Sequence, residues 1–568
     1  MNSEKILTGY PSIDKPWLKY YSGKEITPNL TEKTLYQYLY ESNKNNLDDV
    51  ALNYFGNRIT YNTMFSEIDK VAKAFVHIGI KRGDIVTLML LNQPETVYCA
   101  YALSKIGAVI NFISVLASEN EILNYITEAN SKVLVVLDVF NEKLQSSIFN
   151  ASCKSIINVS ICESMPFYMR ILYKVKHRVS LQKVFLTWKD FLKNAQYEPE
   201  ITSNTFSPKT FSYLAHTGGT TGIPKGIMLS DDAINGVVDE YRNNLNYKRG
   251  DTFLDLVVPF VIYGFLVNTH MPLSLGMETV QIPKVDTDCL ANTFKKFKPN
   301  HLIGIPSYIV PLSQLSDISF IKTVGSGGDG MTPEIENSIN TLLENSGSSA
   351  KVLNGYGMSE VCSTACTCQP TAHKFGSLGI PLSRNIISAF DTETGDEKQY
   401  GVIGELCICS PYSMLGYLNN DKATNHLVRT HADGKKWIHT GDLGYVDTDG
   451  FIYVEGRIKR IILTTFNGMG CKIFPNHIEN IIRIHKSVED SCVVAMNPTG
   501  QKIELKAFIS IKNGETLSQS EIISQICVMC RENLPEYSIP CAYEIIDKIP
   551  HTAVGKVDYR ALEKLATD

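Results

Sequence analysis

The feature that most constrains this chain is the alternation of two hydrophobic periods between residues 32 and 140. Phe65, Ile68, Ala72, Phe75 and Gly79 recur at the 3.6-residue period of an amphipathic helix, with Gly79 suited to its C-terminal end. Residues 85–91 then read as a short buried strand, 95–106 as a helix, 109–113 as a strand and 119–129 as a helix before a strand at 133–138. Such βα alternation predicts a parallel sheet covered by helices. That architecture places ligands at the carboxyl ends of its strands.

The stretch at 216–226, HTGGTTGIPKG, is the first candidate for such a ligand site. It follows an apolar run at 211–215 and leads through Ile227, Met228 and Leu229 to a helix-start signal at Ser230, Asp231 and Asp232. Gly218, Gly219, Gly222 and Gly226 let the backbone aim N–H groups at an anion. Thr217, Thr220 and Thr221 add hydroxyl donors, and Lys225 adds a point charge. A polyphosphate fits this set, and a solvated turn is the plainer alternative. A Walker-type loop needs Gly-Lys-Ser/Thr at its end, whereas Pro224 precedes Lys225 and Gly226 follows it, so a P-loop NTPase is disfavoured. A second glycine loop, GSGGDG at 325–330, follows a strand expected at 321–324 and precedes a helix start at Thr332, Pro333 and Glu334.

Composition narrows the class. With 568 residues, 44% of them hydrophobic and 20% charged, the chain suits a soluble globular protein of several domain-sized units. A net charge of -5 gives no basic footprint for nucleic acid. The first residues show no apolar secretory core, and the most apolar stretch, 253–267, is interrupted by Asp255 and Pro259, so a cytoplasmic location is expected. The 14 cysteines are scattered as reduced thiols. Cys362, Cys366 and Cys368 lack paired metal-site spacing, and Cys407 and Cys409 read as small apolar fillers on one strand face. Residues 164–188 break the rhythm with Met165, Phe167, Tyr168, Ile171 and Leu172 beside Arg170, Lys174, Lys176 and Arg178. A basic amphipathic stretch of this kind is either a solvated linker helix or a helix lying on a membrane surface, so membrane contact is at most peripheral.

After Asp391 the pattern changes to short segments with turn chemistry at Thr394-Gly395, Asp433-Gly434 and Asp449-Gly450, as in a small antiparallel sheet or barrel-like unit. Near Lys459 this gives way to a tail with helices expected at 475–484 and 518–534 and strands around 488–496 and 505–511. The expected fold class is therefore α/β. A large N-terminal part spans 1–457, with α/β subdomains at about 32–390 and a small β subdomain at 391–457. A hinge at 458–460 leads to a small mobile α+β C-terminal domain at 461–568.

Four further clusters carry chemistry. NGYGMSE at 354–360 offers an aromatic for a base, a hydroxyl in Ser359 and a hard-ion ligand in Glu360. WIHTGDLG at 437–444 offers Asp442 to a ribose diol, and EGRIKR at 455–460 and PHTAVGKVD at 550–558 complete the set. Singly, Tyr356 reads equally as a core aromatic, Asp442 as a turn residue, Arg457 as a surface charge and Lys556 as a solvated lysine. Together and in this order, the five motifs resemble the adenylate-forming superfamily of acyl-CoA synthetases, adenylation domains and luciferases, over about residues 32 to 563.

The resemblance implies roles residue by residue. Thr217, Gly218, Gly219, Thr220, Thr221, Gly222 and Lys225 match the β/γ-phosphate loop, with Thr217 in place of the usual serine and His216 where a smaller residue is expected. Gly327, Gly328, Asp329, Asn354, Gly355, Tyr356 and Gly357 match the adenine and acyl wall, Ser359 a phosphate contact and Glu360 the Mg²⁺ ligand. Asp442 and Arg457 match ribose contacts, Lys459 the hinge, and Lys556 the lysine that the tail inserts for adenylation. ATP and CoA are the implied cosubstrates. The connection from 458 to 475 is longer than usual in the family and contains Gly468 and Gly470, which is expected to alter docking of the thiol acceptor.

The acid is read from VPFVIYG at 258–264. Val261 stands where amino-acid adenylation domains keep an aspartate, so a substrate ammonium would be buried without a partner at a cost of several kcal/mol. Val261, Tyr263 and Gly327, with Phe260, Ile262, Phe265, Leu266, Ile305, Pro306 and Ile309 nearby, suggest an apolar acyl pocket, although each suits plain core equally well. The leading expectation is an ATP-dependent acyl-CoA ligase for an apolar acid, a fatty acid foremost. The alternative is a ligase that loads a carrier-protein phosphopantetheine. A homodimer is left open.

Overall fold

The computed structural model describes residues 7–21, 30–144, 153, 155–176, 185–216, 225–460, 462–466, 469–496, 504–512, 514–551 and 557–567. The first expected helix forms over Tyr61–His77, where Thr60 caps it by accepting from the Thr63 N–H. Met64, Phe65, Ile68, Val71, Ala72 and Phe75 line its buried face. Each such side chain contributes about 1.5–3 kcal/mol on leaving water, which fixes this helix against the sheets more firmly than intrinsic propensity would.

The strands then follow in chain order. β1 (Val50–Tyr54) and β2 (Asn57–Thr60) form an antiparallel hairpin. β3 (Ile85–Met89), β4 (Val109–Phe112), β5 (Val133–Leu137), β6 (Ser155–Val159) and β7 (Phe185–Thr187) precede β8 (Phe211–His216) and β9 (Gly226–Ser230). They assemble as β9-β8-β4-β3-β5-β6-β7, parallel from β8 to β7, with the short strand Gly416–Tyr417 closing the edge beside β9. Residues 227–229, expected as a lead-in to a helix, instead pair back on β8 in antiparallel register, and the helix Asp231–Asn244 starts only after them. The glycine loop is thus a hairpin connection, because Ile227 and Leu229 bury their side chains more fully by lying in the sheet.

The second sheet uses β10 (Thr252–Asp255), β11 (Glu278–Gln281), β12 (His301–Gly304), β13 (Thr323–Ser326) and β14 (Val352–Tyr356), then β15 (Cys366–Thr367) and β16 (Ile380–Pro381). Its order is β16-β15-β14-β13-β12-β10-β11-β1-β2, parallel from β14 to β1. β13 lies two residues later than the sequence pattern predicts, since register with β12 and β14 decides it. The carboxyl edges of the two sheets meet where Asn92, just after β3, donates to Asp255 Oδ1 at 2.9 Å at the end of β10.

The texture change after Asp391 marks an antiparallel sheet of β17 (Ile386–Phe390), β18 (Gly404–Cys409) and the strands Val428–Thr430, Lys436–Val446 and Ile452–Arg457. Beyond it, the long connection is a two-stranded ladder, Ile462–Phe466 against Met469–Ile473. Gly468 lies outside the described residues. The tail then forms the expected helices, Pro475–Arg483 and Gln519–Asn533, and the expected strands, Val488–Ala495 and Leu505–Ile511, to which a third strand, Ala542–Ile545, adds in parallel. Ile478, Ile482, Val493, Ile509, Ile522 and Ile526 form its own buried core.

Candidate active site

The carboxyl edge of the second sheet carries most of the sequence-predicted residues. β14 ends on Asn354, Gly355 and Tyr356, and the chain then turns sharply at Gly357, where an added Cβ would lie 1.9 Å from the Ser363 carbonyl oxygen. Only glycine fits there, and the turn delivers Ser359 and Glu360 to a short 3₁₀ helix at the edge. Cys362 and Ser363 complete the loop with positive φ, a backbone state that favours glycine and is held here by the surrounding hydrogen bonds.

Tyr356, Asp442 and Arg457 come together from three strands. Asp442 and Arg457 are opposite one another in antiparallel register, with Arg457 Nε 3.0 Å from Asp442 Oδ1. The Tyr356 hydroxyl donates to Asp442 Oδ2 at 2.6 Å. Burial, followed by the Asp442 charge, pushes the Tyr356 hydroxyl well above the usual phenol range, so it stays a donor. Both Asp442 oxygens are engaged, yet each retains a lone pair for a further donor. Glu405 shapes this turn by accepting from the Gly441 N–H at 3.0 Å and from His439 Nδ1 at 2.8 Å. Burial alone would raise the Glu405 carboxyl, but the His439 hydrogen bond and charge outweigh it and lower it.

A second group joins Glu360, Tyr417 and Lys225. The Tyr417 hydroxyl donates to Glu360 Oε1 at 2.7 Å, and Lys225 Nζ lies 5.0 Å from the centre of the Tyr417 ring. Tyr417 carries no local sequence signal. It reaches the site because Gly416 and Tyr417 pair with Met228 and Ile227 beside the glycine loop. Thr217, Gly218, Gly219, Thr220, Thr221 and Gly222 lie outside the described residues, as does Lys556. His216 is described, and it is the half-buried end of β8, with its Nδ1 enclosed. Its Nε2 donates to Asn111 Oδ1 at 2.7 Å, and burial lowers its pKa to about 3, so it adds no charge to the loop.

The adenine and acyl wall is also assembled. Asn354 donates to the buried Glu336 at 2.8 Å, which leaves its Oδ1 buried and without a hydrogen-bond partner. Tyr263 packs against Gly327, where an added Cβ would meet its hydroxyl at 3.1 Å, and Ile305 lies against Gly328. Gly328 and Asp329 are exposed. Val261 is half-buried at the start of an irregular turn that passes into a π-helix, Gly264–His270. Gly264 is required, since a Cβ there would lie 2.1 Å from the Val258 carbonyl oxygen. Phe265 and Leu266 are fully buried core, with Phe265 stacked on Tyr213 and His270, and Ile309 belongs to a separate cluster beneath the second sheet.

Lys459 is exposed within the short helix Ile458–Arg460. Cys362, Cys366 and Cys368 are buried singly. Among the described residues a different group converges, Cys407, His431 and His439. His431 Nε2 and His439 Nε2 share a hydrogen bond at 3.0 Å, and His439 Nδ1 bonds Glu405 Oε2 at 2.8 Å, so the two histidines are engaged with their neighbours.

Two family models match most of the chain. The AMP-binding enzyme family matches residues 39–418, and the AMP-binding enzyme C-terminal domain matches residues 477–556. The chain belongs to the AMP-binding enzyme family. This AMP-binding enzyme is 28% identical to a long-chain-fatty-acid–CoA ligase of Bacillus subtilis over 98% of both chains. It is 27% identical to a 4-coumarate–CoA ligase of Humulus lupulus over 90% of both. Its fold matches an anthranilate CoA ligase solved in complex with anthranoyl-AMP, with a TM-score of 0.81 at 22% identity over 94% of this chain and 97% of that one. It also matches an amide bond synthetase from Marinactinospora thermotolerans, with a TM-score of 0.77 at 18% identity over 94% and 99%. Among the described residues of the AMP-binding enzyme, no helix is long and apolar enough to cross a membrane.

Proposed function

We propose that this AMP-binding enzyme is an AMP-forming acid–CoA ligase that activates an apolar carboxylic acid, with fatty acids the leading class. The observation that carries the reading is the Asp442 carboxylate held between Tyr356 and Arg457 at 2.6 Å and 3.0 Å, next to the Asn354 edge. An acceptor pair for a ribose diol, an aromatic wall and a buried, unpartnered amide oxygen for a purine amine suit adenosine. Glu360 and Lys225, joined through Tyr417, suit the phosphate end.

In the first step a substrate carboxylate oxygen bonds to the α-phosphorus of ATP, the bond to the bridging oxygen breaks, and pyrophosphate leaves toward the 217–225 loop. The approach of two anions must be offset, and Lys556 and Lys225 supply fixed positive charge for it. Glu360 is an acceptor-only carboxylate at the phosphate end and would hold Mg²⁺, which prefers carboxylate and phosphate oxygens and would neutralise charge on them. In the second step the CoA thiolate bonds to the acyl carbonyl carbon and AMP departs. Ser359, Gly355 and Gly357 frame the nucleotide, and Gly327, Tyr263 and Val261 line the acyl side.

We place the domain division at the 458–460 segment, with Lys459 as the pivot and 461–568 as the moving part. Free thiols at the cysteines whose side chains are described suit the cytoplasm. The test of substrate class is an ATP- and CoA-dependent panel from acetate to palmitate, with benzoate and an amino acid included. Turnover should rise with aliphatic length. Preference for benzoate would overturn the fatty-acid assignment, and activity only with a holo carrier protein would overturn CoA as acceptor.

A further inference from the structure

The helix Phe167–Lys176 leaves the carboxyl end of β6 and buries none of its residues. At about 100° per residue, Phe167, Ile171, Val175, Tyr168 and Leu172 fill one continuous arc of about 140° on its surface. These five side chains are 79%, 48%, 76%, 64% and 67% exposed. Lys174 and Lys176 border that arc, one on each side, and both are exposed. The opposite face, Met169, Arg170 and Tyr173, is half-buried, and Arg170 closes on Glu163 at 2.6 Å. The helix is therefore anchored through Met169, Arg170 and Tyr173 and turns its continuous apolar arc outward, the reverse of a solvated linker.

The apolar surface continues along the same sheet edge. Leu116, after β4, is 56% exposed, and Val139, after β5, is 46% exposed. β4, β3, β5 and β6 run parallel, so these residues and the helix emerge from one edge across about three strand spacings, ~14 Å. β8 ends on that edge too, so it is the edge that carries the phosphate loop.

The outward arc offers a single hydrogen-bonding group, the Tyr168 hydroxyl, whereas protein interfaces carry about one hydrogen bond per 100–200 Å². A lipid surface asks for none. Lysines flanking an apolar arc can lay their stems along it and extend their ammonium groups to headgroup phosphates. We propose that the Phe167–Lys176 helix docks this sheet edge onto the surface of an anionic lipid bilayer. Docking stands on this surface alone and is independent of which acid the enzyme activates.

The experiment is co-sedimentation of the full chain with phosphatidylcholine vesicles and with vesicles that also contain phosphatidylserine. Binding to the anionic vesicles is expected, weakened at least about tenfold in Leu172→Ser/Val175→Ser and in Lys174→Gln/Lys176→Gln. All four side chains are exposed, so both variants should keep the wild-type melting temperature. A wild-type chain that sediments with neither vesicle overturns the proposal, as do variants that bind as tightly as wild type. Vesicle-free self-association abolished by Leu172→Ser/Val175→Ser, without vesicle binding, would assign the face to a second copy and also overturn it.

Discussion

Arg457 and Arg460 stand three residues apart and belong to different halves of the chain. Arg457 pairs back with Asp442 in the N-terminal part, and its side chain is 57% exposed. Arg460 is enclosed by the tail. Its guanidinium reaches Glu479 at 2.6 Å, Asn476 at 2.7 Å and the Val493 carbonyl at 3.3 Å, and it lies 5.3 Å from the centre of the Tyr559 ring. Burial alone would weaken its charge, but the Glu479 carboxylate outweighs burial and strengthens it. The chain thus changes allegiance within Ile458–Arg460, with exposed Lys459 between the two anchors. A pivot placed there can move without breaking either one.

The largest expected effect falls on the tail anchor. Arg460→Ala leaves Glu479 as a buried charge without its partner and should destabilise the tail by about 3–5 kcal/mol. Hydrogen exchange should show faster opening of residues 475–511 and unchanged protection in the N-terminal sheets. Equal loss in both halves would break the comparison.

On the other side of the pivot, Asp442→Asn keeps the shape but removes the charge between Tyr356 and Arg457. It should lower kcat/KM for ATP about 100-fold, about 2.7 kcal/mol, with no change in the tail's exchange. An unchanged kcat/KM for ATP would remove Asp442 from the nucleotide site.

How much of this was legible depends on whether the signal was local. The helix Tyr61–His77 and the strands β3, β4 and β5 announce themselves because their apolar period is set by their own burial. Asp442 and Arg457 could be named from motif and order, and their pairing in one register explains the spacing. Tyr417 was not legible, since a two-residue strand has no period and its role comes from pairing with β9. The hairpin of β8 and β9 was missed for a related reason, as a strand and a helix lead-in look alike over three apolar residues. Cys407 reads as a core filler, and only the fold reveals His431 and His439 beside it.

A third prediction uses pH to separate the halves. Folded His216 titrates near 3 because of burial, while an unfolded histidine titrates near 6.5. The unfolded chain therefore binds the extra proton between these values. His216 costs nothing above pH 6.5 and costs stability progressively as pH falls toward 3, about 2 kcal/mol at pH 5. The stability gap between wild type and His216→Gln, measured by denaturant unfolding of the N-terminal part, should shrink by that amount from pH 7 to pH 5. A gap that is the same at both pH values would contradict a buried neutral imidazole. The smallest effect is at the exposed anchor. Arg457→Ala should change the stability of the fold by under about 1 kcal/mol, since solvent screens the pair, and a larger loss would mean that Arg457 is as enclosed as Arg460.

Alternation of the tail, by which Lys556 would enter the N-terminal site for adenylation alone, is the proposal that joins the two halves. Its most direct test measures both half-reactions in Lys556→Ala, as carboxylate-dependent ATP–pyrophosphate exchange and as thiolysis of supplied acyl-AMP by CoA. Exchange should fall at least about 100-fold while thiolysis is retained. Equal loss of both half-reactions would contradict it.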